Sequence, residues 1–250
     1  MNESAPPQTD RTGLAAAFSA YVIWGFLPLY LILVRSVPAF EFVGWRIIWT
    51  LPLCLLIVLA RRQGPDLRAA LANRRTLGLL ALSATLIAVN WVVYVWAIQN
   101  GQVYAASLGY YINPLVNVLL GTVLLGEKLS RPQWAAVGLA GIGVSLLAAG
   151  ALTTLWISLT LALSFGSYGL IRKQLDVGSV PGLTIESALL LLPSFAVAWY
   201  YAQTQGSSFA VSTELSLAIM AGGVVTAFPL LLFAIAARKL PYSTLGFIQF

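Results

Sequence analysis

Long apolar segments joined by short polar stretches follow one another along almost the whole chain. A helix needs ~20 predominantly apolar residues to cross the core of a bilayer. Residues 242–250 would span only ~13 Å of a ~30 Å core, and they are predicted to begin a ninth helix. The pattern therefore predicts an all-α polytopic membrane protein with eight full spans, at 12–33, 39–60, 76–98, 104–125, 132–149, 152–171, 183–202 and 215–237.

The composition agrees with a lipid environment. Of the 250 residues, 59% are hydrophobic and 9% are charged, whereas about a quarter of a soluble domain is charged. Residues 1–11 are polar and are predicted to form a disordered N-terminal tail. The first apolar segment exceeds a signal-peptide core and is expected to be retained. Cys54 is the only cysteine and histidine is missing, so neither a metal site nor a cofactor is expected.

The basic residues indicate an orientation. Most of the 14 lysines and arginines fall on one side of the predicted spans. Arg35 lies in a loop on the other side and Arg46 lies within a span. Basic loops face the cytoplasm, so a cytoplasmic N-terminus is predicted. The positive charge is thus explained by orientation, and the expected partner is the lipid bilayer and not a nucleic acid. The residues on the cytoplasmic side are Arg11, Arg61, Arg62, Arg68, Arg74, Arg75, Lys128, Arg131, Arg172, Lys173, Arg238 and Lys239.

An internal repeat is visible in the sequence. Residues 96–110 align without gaps to residues 233–247. Two shorter matches keep the same order, Leu51-Pro52 with Leu192-Pro193 and Trp24-Gly25 with Tyr168-Gly169. The offset corresponds to a unit of five helices, and an odd number of helices inverts the second copy in the membrane.

The repeat predicts the domain organisation. Residues 12–149 would form the first five-helix repeat, and residues 152–250 would form the second, incomplete one. Inverted repeats place a substrate site near the midplane and permit alternating access. The alternatives are a duplication within a channel or inert scaffold, or a chance match of short apolar words.

Six strings stand out in the chain: AYVIWGFLPLY, WRIIWT, NWVVYVWAIQN, ASLGYYINPLVNVLLGTVLLGEKL, YGLIRK and STLGFIQF. They resemble one family, the RarD branch of the EamA-type transporters in the drug/metabolite transporter superfamily. The resemblance covers the chain after its tail and implies ten helices in two inverted halves, so the chain is expected to be a fragment. It also implies a bacterial inner-membrane permease that moves a small organic metabolite or drug-like solute. Trp45 stands where members of this branch often carry histidine, so no role of that histidine is carried over.

Two charged residues are candidates for function. Arg46 lies inside a span, where a charge is costly unless it faces a cavity or a partner. It could anchor an anionic or carboxylate-bearing substrate, or it could snorkel to the surface or pair with Glu41 or Glu186. Glu186 could bind a coupling proton, or it could pair with a neighbouring cation, Arg172 or Lys173.

Polar stripes mark the third and fourth spans. Asn90 and Tyr94 share one helix face, and Tyr110, Asn113 and Asn117 form a denser stripe. Pro114 frees the backbone carbonyl of Tyr110, because proline cannot donate the usual hydrogen bond. These stripes favour a lining of the substrate pathway, although polar residues also hold membrane helices together.

Aromatic residues complete the predicted pathway. Tyr21, Trp24 and Tyr168 occupy corresponding regions of spans one and six and could form its walls. Trp91 fits either the pathway or an interfacial belt. Gln249 aligns near Asn113 and is predicted to belong to the second half of the site.

Small residues and missing motifs set the remaining expectations. Gly141 and Ser145 predict a close helix contact, within the bundle or between the copies of a homodimer. Without histidine, the usual serine, histidine and acid arrangement is impossible, so an enzyme is not expected. The sequence favours a secondary-active permease for a small molecule, with a membrane scaffold or regulatory subunit as the alternative. Neither the solute nor the coupling ion follows from it.

Overall fold

Residues 10–249 are described by the structure, a computed structural model in which twelve α-helices and one short 3-10 turn, Leu152–Thr154, follow one another. Of the predicted tail at residues 1–11, residues 1–9 lie outside the described residues. The prediction is corrected at its end, because Arg11 already begins the first helix and the Asp10 side chain caps it. The α-helices, in chain order, are α1 (Arg11–Gly25), α2 (Leu27–Leu33), α3 (Ala39–Ala60), α4 (Gly64–Ala72), α5 (Arg74–Gln99), α6 (Val103–Leu124), α7 (Arg131–Ala149), α8 (Leu155–Gln174), α9 (Ser179–Leu189), α10 (Leu191–Thr204), α11 (Thr213–Lys239) and α12 (Tyr242–Gln249).

The helices form a multi-pass membrane bundle, as predicted. Within residues 10–249, seven segments are long and apolar enough to cross a bilayer, with α1 and α2 counted together as one of them. The bent pair α9 and α10 makes an eighth if it is counted as a single span. It begins at Ser179, ahead of the predicted start at residue 183. The fold class is therefore confirmed.

Prolines break two of the predicted spans. Pro28 follows the end of α1 and Pro193 follows the end of α9, and each lies within the first turn of the next helix. A proline removes one backbone donor and its ring clashes with the carbonyl four residues earlier. The predicted span at 183–202 is therefore formed by two helices and not by one, because α9 and α10 meet at 45°. Other prolines lie inside unbroken helices, at Pro52, Pro114 and Pro229.

The two predicted halves contact each other in a symmetric way. In the first set of contacts, α1 packs against α11 and α5 packs against α8. In the second, α3 packs against α9 and α10, and α6 packs against α12. If each span is exchanged with the one five places away in the chain, the contact of α1 with α11 becomes the contact of α8 with α5. The contacts of the second set map onto themselves. The division into two repeats remains a prediction, and these pairs are the ones that it requires.

Helix α7 lies at the edge of the bundle. None of its residues is buried, and its main contact in the part of the chain that the structure describes is with α6. A Cβ added at Gly138 or Gly141 would meet nothing within 4 Å. The predicted close contact at Gly141 is therefore not formed inside the described bundle. A contact between two copies stays a prediction.

Two carboxylates, the buried Glu41 and the partly buried Glu127, join the halves at opposite membrane faces. We name the face that carries the start of α1 the N-terminal face, and the other one the opposite face. At the N-terminal face, Glu127 accepts hydrogen bonds from the backbone N–H groups of Tyr242 and Ser243, at 2.6 and 2.8 Å. At the opposite face, Glu41 accepts from the N–H and hydroxyl of Ser208, at 2.8 and 2.6 Å. Each carboxylate lies in the first half and binds the second.

We expect Glu127→Ala to loosen the start of α12. Its carboxylate serves as the cap of that helix, and the loss of such a cap costs ~1 kcal/mol. Amide hydrogen exchange at Tyr242 and Ser243 should therefore accelerate about fivefold or more, as measured by mass spectrometry. Glu214→Ala, in the exposed first turn of α11, is the matched control and should leave these amides unchanged. Equal exchange in the Glu127 variant and the unmodified protein would contradict the assignment.

Candidate functional site

A cavity of about 510 Å³ lies among α1, α2, α3, α5, α6, α8 and α12. Its aromatic lining consists of Tyr21, Trp24, Trp91, Tyr94, Tyr110 and Phe165. Its aliphatic side chains and main polar groups are Leu27, Pro28, Ile32, Ile98, Val103, Ala106, Arg46, Asn90, Ser107 and Gln249. The cavity is thus mostly apolar, with a few polar groups at defined places, as is typical of small-molecule sites.

The cavity extends towards the opposite face. Ile32, Ile98 and Val103 belong to the helix ends at that face. On the other side an aromatic floor closes the cavity: the ring centroids of Trp24 and Phe165 are 5.3 Å apart, and those of Phe165 and Phe233 are 4.9 Å apart. The packed rings therefore close the cavity towards the N-terminal face.

Arg46 lies in the wall of this cavity and is 3% exposed. Its Nε donates to Thr226 Oγ1 at 2.7 Å. The centre of its guanidinium lies 5.1 Å from the ring centroid of Trp91 and 5.5 Å from that of Phe42, within the range of a cation–π interaction. Nη1 is buried without a hydrogen-bond partner among the described residues.

Close packing of α11 shapes the path of the Arg46 side chain. A Cβ at Gly222 would lie 2.9 Å from Arg46 Cγ, which is closer than real Cβ contacts allow. Glycine at this position lets the aliphatic part of Arg46 run along α11 to reach Thr226. The side chain is therefore held at its base and at Nε, while the other side of the guanidinium is left without a described partner.

Neither carboxylate considered as a partner of Arg46 pairs with it. Glu41 binds Ser208 and also accepts from Trp45 Nε1 at 3.2 Å. Arg46 also does not reach the surface, because the bundle buries it. Of the alternatives for Arg46, a position in a cavity wall is the one that the geometry matches.

Glu186 lies away from the cavity, in a buried ion pair. One of its carboxylate oxygens is 3.8 Å from Arg172 Nη1, and the same oxygen accepts a short hydrogen bond from Ser83. Glu186 and Arg172 are each 1% exposed. The sequence offered a pairing of Glu186 with Arg172 as one alternative, and the structure forms this pair in the protein interior. A coupling role for Glu186 stays a proposal.

Asn90, Tyr94 and Tyr110 line the cavity together. The Asn90 amide donates to the carbonyl of Leu161 at 2.9 Å and to Ser164 Oγ at 3.0 Å, so it also ties α5 to α8. The rings of Tyr94 and Tyr110 meet edge to face with centroids 5.6 Å apart. Asn90 therefore combines the two roles that the sequence offered as alternatives.

Three predicted pathway residues do not line the cavity. Asn113 donates to the carbonyl of Ala162 at 3.0 Å, and Asn117 donates to Asn113 Oδ1 at 3.2 Å, so both are used in packing. Tyr168 is 1% exposed and stacks on Phe233 beneath the floor. Asn113 and Asn117 share a stripe with Tyr110, but each residue adds ~1.5 Å of depth. They therefore lie below the cavity on the same face.

Gln249 lines the cavity and contacts the backbone that Pro114 exposes. Its Nε2 donates to the carbonyl of Tyr110 at 3.4 Å, the group that the proline leaves without its helical donor. The Gln249 Oε1 atom is buried without a partner among residues 10–249. The end of the described chain thus meets the fourth span at the cavity wall.

Sequence reasoning missed part of the lining. Phe165 and Ser107 were not singled out, and Trp91 was left between the pathway and an interfacial belt. Phe165 lies three residues before Tyr168 on the same helix. An aromatic residue of span six therefore lines the cavity, as predicted, but it is Phe165 and not the deeper Tyr168. For Trp91, the adjacent polar residue Asn90 was the feature of the sequence that could have indicated a position in the cavity wall.

Comparison with known proteins gives consistent matches. Residues 11–149 match the model of the EamA-like transporter family. The chain is 45% identical to Protein RarD of Streptomyces exfoliatus, over 96% of this chain and 77% of that protein. It is 44% identical to a protein of Pseudomonas aeruginosa named as an uncharacterized transporter, over 96% of this chain and 81% of that protein.

A solved structure shares the fold. It superimposes with a TM-score of 0.70, covers 94% of this chain and 82% of its own, and is 21% identical in sequence. At this level of identity the likeness concerns the arrangement of the helices alone.

Proposed function

The chain belongs to the EamA-like transporter family, in its RarD branch, and is a multi-pass membrane transporter; from this premise we propose that it is a secondary-active permease. It moves a small organic metabolite or drug-like solute by alternating access. The observation that carries the proposal is the cavity around Arg46, which extends towards one membrane face and is closed towards the other by an aromatic floor.

The symmetric helix contacts support alternating access. Each half supplies the same spans to the interface, so a rocking motion could open the other face by repeating the same packing in reverse. The carboxylates of Glu127 and Glu41 bridge the halves at the two faces. In the other state, at least one bridge would have to change.

The positions of the basic residues support a bacterial inner-membrane orientation with a cytoplasmic N-terminus. In that orientation the aromatic floor faces the cytoplasm and the cavity reaches towards the outside. The structure then corresponds to an outward-directed state. A secondary transporter needs such a state and its inward-directed counterpart.

Flux into liposomes tests the transport proposal. Purified protein would be reconstituted, and the entry of 3-phenylpropanoate, 3-phenylpropanamide and 3-phenylpropylamine would be followed with and without a proton gradient. We expect protein-dependent flux of at least one of them above that of empty liposomes. Ser107→Trp fills part of the cavity. It should reduce this flux at least ~10-fold, because the tryptophan side chain displaces the solute from its binding position. Leu139→Trp, on the exposed side of α7, is the matched control.

Labelling of a single cysteine tests alternating access separately. In a Cys54→Ala background, a cysteine introduced at Ser107 should react with a membrane-impermeant thiol reagent from the outside. A transported solute added at saturation should change that rate. A rate that stays the same from both sides, with or without solute, would contradict alternating access. Unchanged flux in the Ser107→Trp variant would contradict transport through this cavity.

Coupling through Glu186 has a specific structural requirement. Because the carboxylate is paired with Arg172 and Ser83, proton uptake there would have to release Arg172. If Glu186 carries the coupling, Glu186→Gln should abolish the stimulation of flux by a proton gradient while leaving flux down the solute's own gradient. Equal stimulation in both proteins would remove Glu186 from the coupling step.

A further inference from the structure

Arg46 brings an unbalanced positive charge to the cavity wall. Of the lining residues that the structure describes, it alone carries a formal charge, and no aspartate or glutamate accompanies it. A guanidinium remains protonated in proteins. A charge at membrane depth is costly and marks a functional site unless it is paired. The neutral contacts described above leave the charge itself without a counter-ion.

The guanidinium is held in place within the cavity wall and keeps one unsatisfied N–H donor group. Thr226 fixes Nε, and the ring of Trp91 supports the centre of the group. Nη1 is buried and has no partner among residues 10–249. A planar anion fits such a site, because a carboxylate can accept two parallel hydrogen bonds from one arginine. The immobilised Nε means that little further ordering is needed on binding.

The surroundings of Arg46 indicate what is attached to the anion. The cavity walls include Trp24, Trp91 and Phe165, which offer flat apolar surfaces. The hydroxyl groups of Tyr94 and Tyr110 add neutral polar groups that can donate hydrogen bonds. No acidic side chain lines the described cavity, so a ligand ammonium would lose its hydration without gaining a counter-charge.

We propose that the cavity selects small organic monoanions that join one carboxylate to an apolar, aromatic body, with Arg46 as the counter-charge. The inference rests on the proposed permease function and adds the substrate class to it. The carboxylate binds the guanidinium of Arg46, and the body lies between the aromatic walls. Neutral and cationic relatives of the same shape are discriminated against, and so are zwitterions that carry an added ammonium.

Calorimetric binding to the purified protein tests the substrate class with shape-matched probes. The probes are 3-phenylpropanoate, its neutral amide and phenylalanine, which adds an ammonium to the acid. We expect 3-phenylpropanoate to bind about 10-fold more tightly than the amide, as expected for hydrogen bonds to a charged group. Phenylalanine should bind more weakly than 3-phenylpropanoate. Arg46→Gln should remove the preference for the acid over the amide.

Matched controls separate the cavity charge from charge in general. Arg35→Gln changes the net charge equally but lies in an exposed loop, and it should leave all three affinities unchanged. If Arg46→Gln does not fold, Arg46→Lys is used in its place. It keeps the charge without the planar fork, so it should bind 3-phenylpropanoate more weakly than the unmodified protein while still preferring it to the amide.

The outcomes distinguish this inference from the proposed function. Absent binding of 3-phenylpropanoate, equal binding of the amide, or an unchanged preference in Arg46→Gln overturns the anion site, even if liposome flux of another solute upholds the permease. Arginine-dependent binding of the acid without flux of any probe supports the anion site and overturns the permease. The preference of the unmodified protein is measured without any variant, so the inference can fail even if both Arg46 variants misfold.

Discussion

Replacing Glu186 with alanine is expected to lower the free energy of unfolding by about 3–5 kcal/mol, the cost of leaving one member of a buried ion pair without its partner. Arg172 is 1% exposed, so water cannot take over the role of the carboxylate. Ser83 loses one of its two acceptors in the same step and keeps the carbonyl of Leu80. Thermal unfolding in detergent, followed by circular dichroism, measures the effect.

A charge-free pair provides the critical comparison. In the double variant Arg172→Met and Glu186→Leu, no buried charge is left alone, and most of the lost stability should return. Arg62→Met, at an exposed position after α3, controls for the general loss of a basic residue. If the double variant is as unstable as Glu186→Ala, the destabilisation arises from packing and not from the uncompensated charge.

Gly169→Ala should have the second largest effect, a loss of about 1–3 kcal/mol through overpacking. A Cβ at this position would overlap the hydroxyl of Tyr242 and lie 2.9 Å from Phe233 Cζ. The substitution therefore pushes α8 away from α11 and α12, directly beneath the cavity floor. Thermal unfolding measures the loss, and the cavity labelling rate described above measures the shift of the floor.

A second substitution tests whether the clash with Tyr242 is the cause. Tyr242→Phe removes the hydroxyl but also its 2.6 Å hydrogen bond to the carbonyl of Gly166. If the clash dominates, the double variant should be less destabilised than the sum of the two single variants. Gly138→Ala on α7, where a Cβ meets nothing within 4 Å, should be neutral or slightly stabilising. Additive losses would show that Tyr242 is not the obstacle.

The spans could be predicted from the sequence because length and apolar content largely decide membrane insertion. The bend at Pro193 could not, since Pro52 and Pro114 occur in helices that stay unbroken. Whether a proline breaks a membrane helix depends on how neighbouring groups satisfy the freed carbonyl. That information lies in the packing and not in the local sequence.

The sequence predicts which helix faces line the candidate site, but not how far the cavity extends along those helices. Arg46 and Asn90 were recognisable because polar groups inside a span must face the interior, and both line the cavity. The same rule applied to Asn113 and Asn117 gives the correct helix face. Both side chains, however, form hydrogen bonds within the packed bundle and do not line the cavity. Periodicity places a side chain around the helix axis, whereas the position of the aromatic floor depends on how α8 and α11 pack.

The peripheral position of α7 has a practical consequence for spectroscopy. None of its 19 residues is buried, so a fluorophore or spin label attached there replaces no interior contact. In a background without Cys54, a reporter at Leu139, which is 73% exposed, would sense the acyl chains around the protein while the rest of the bundle moves. The helix offers a built-in reference point against which displacements of the other helices can be measured.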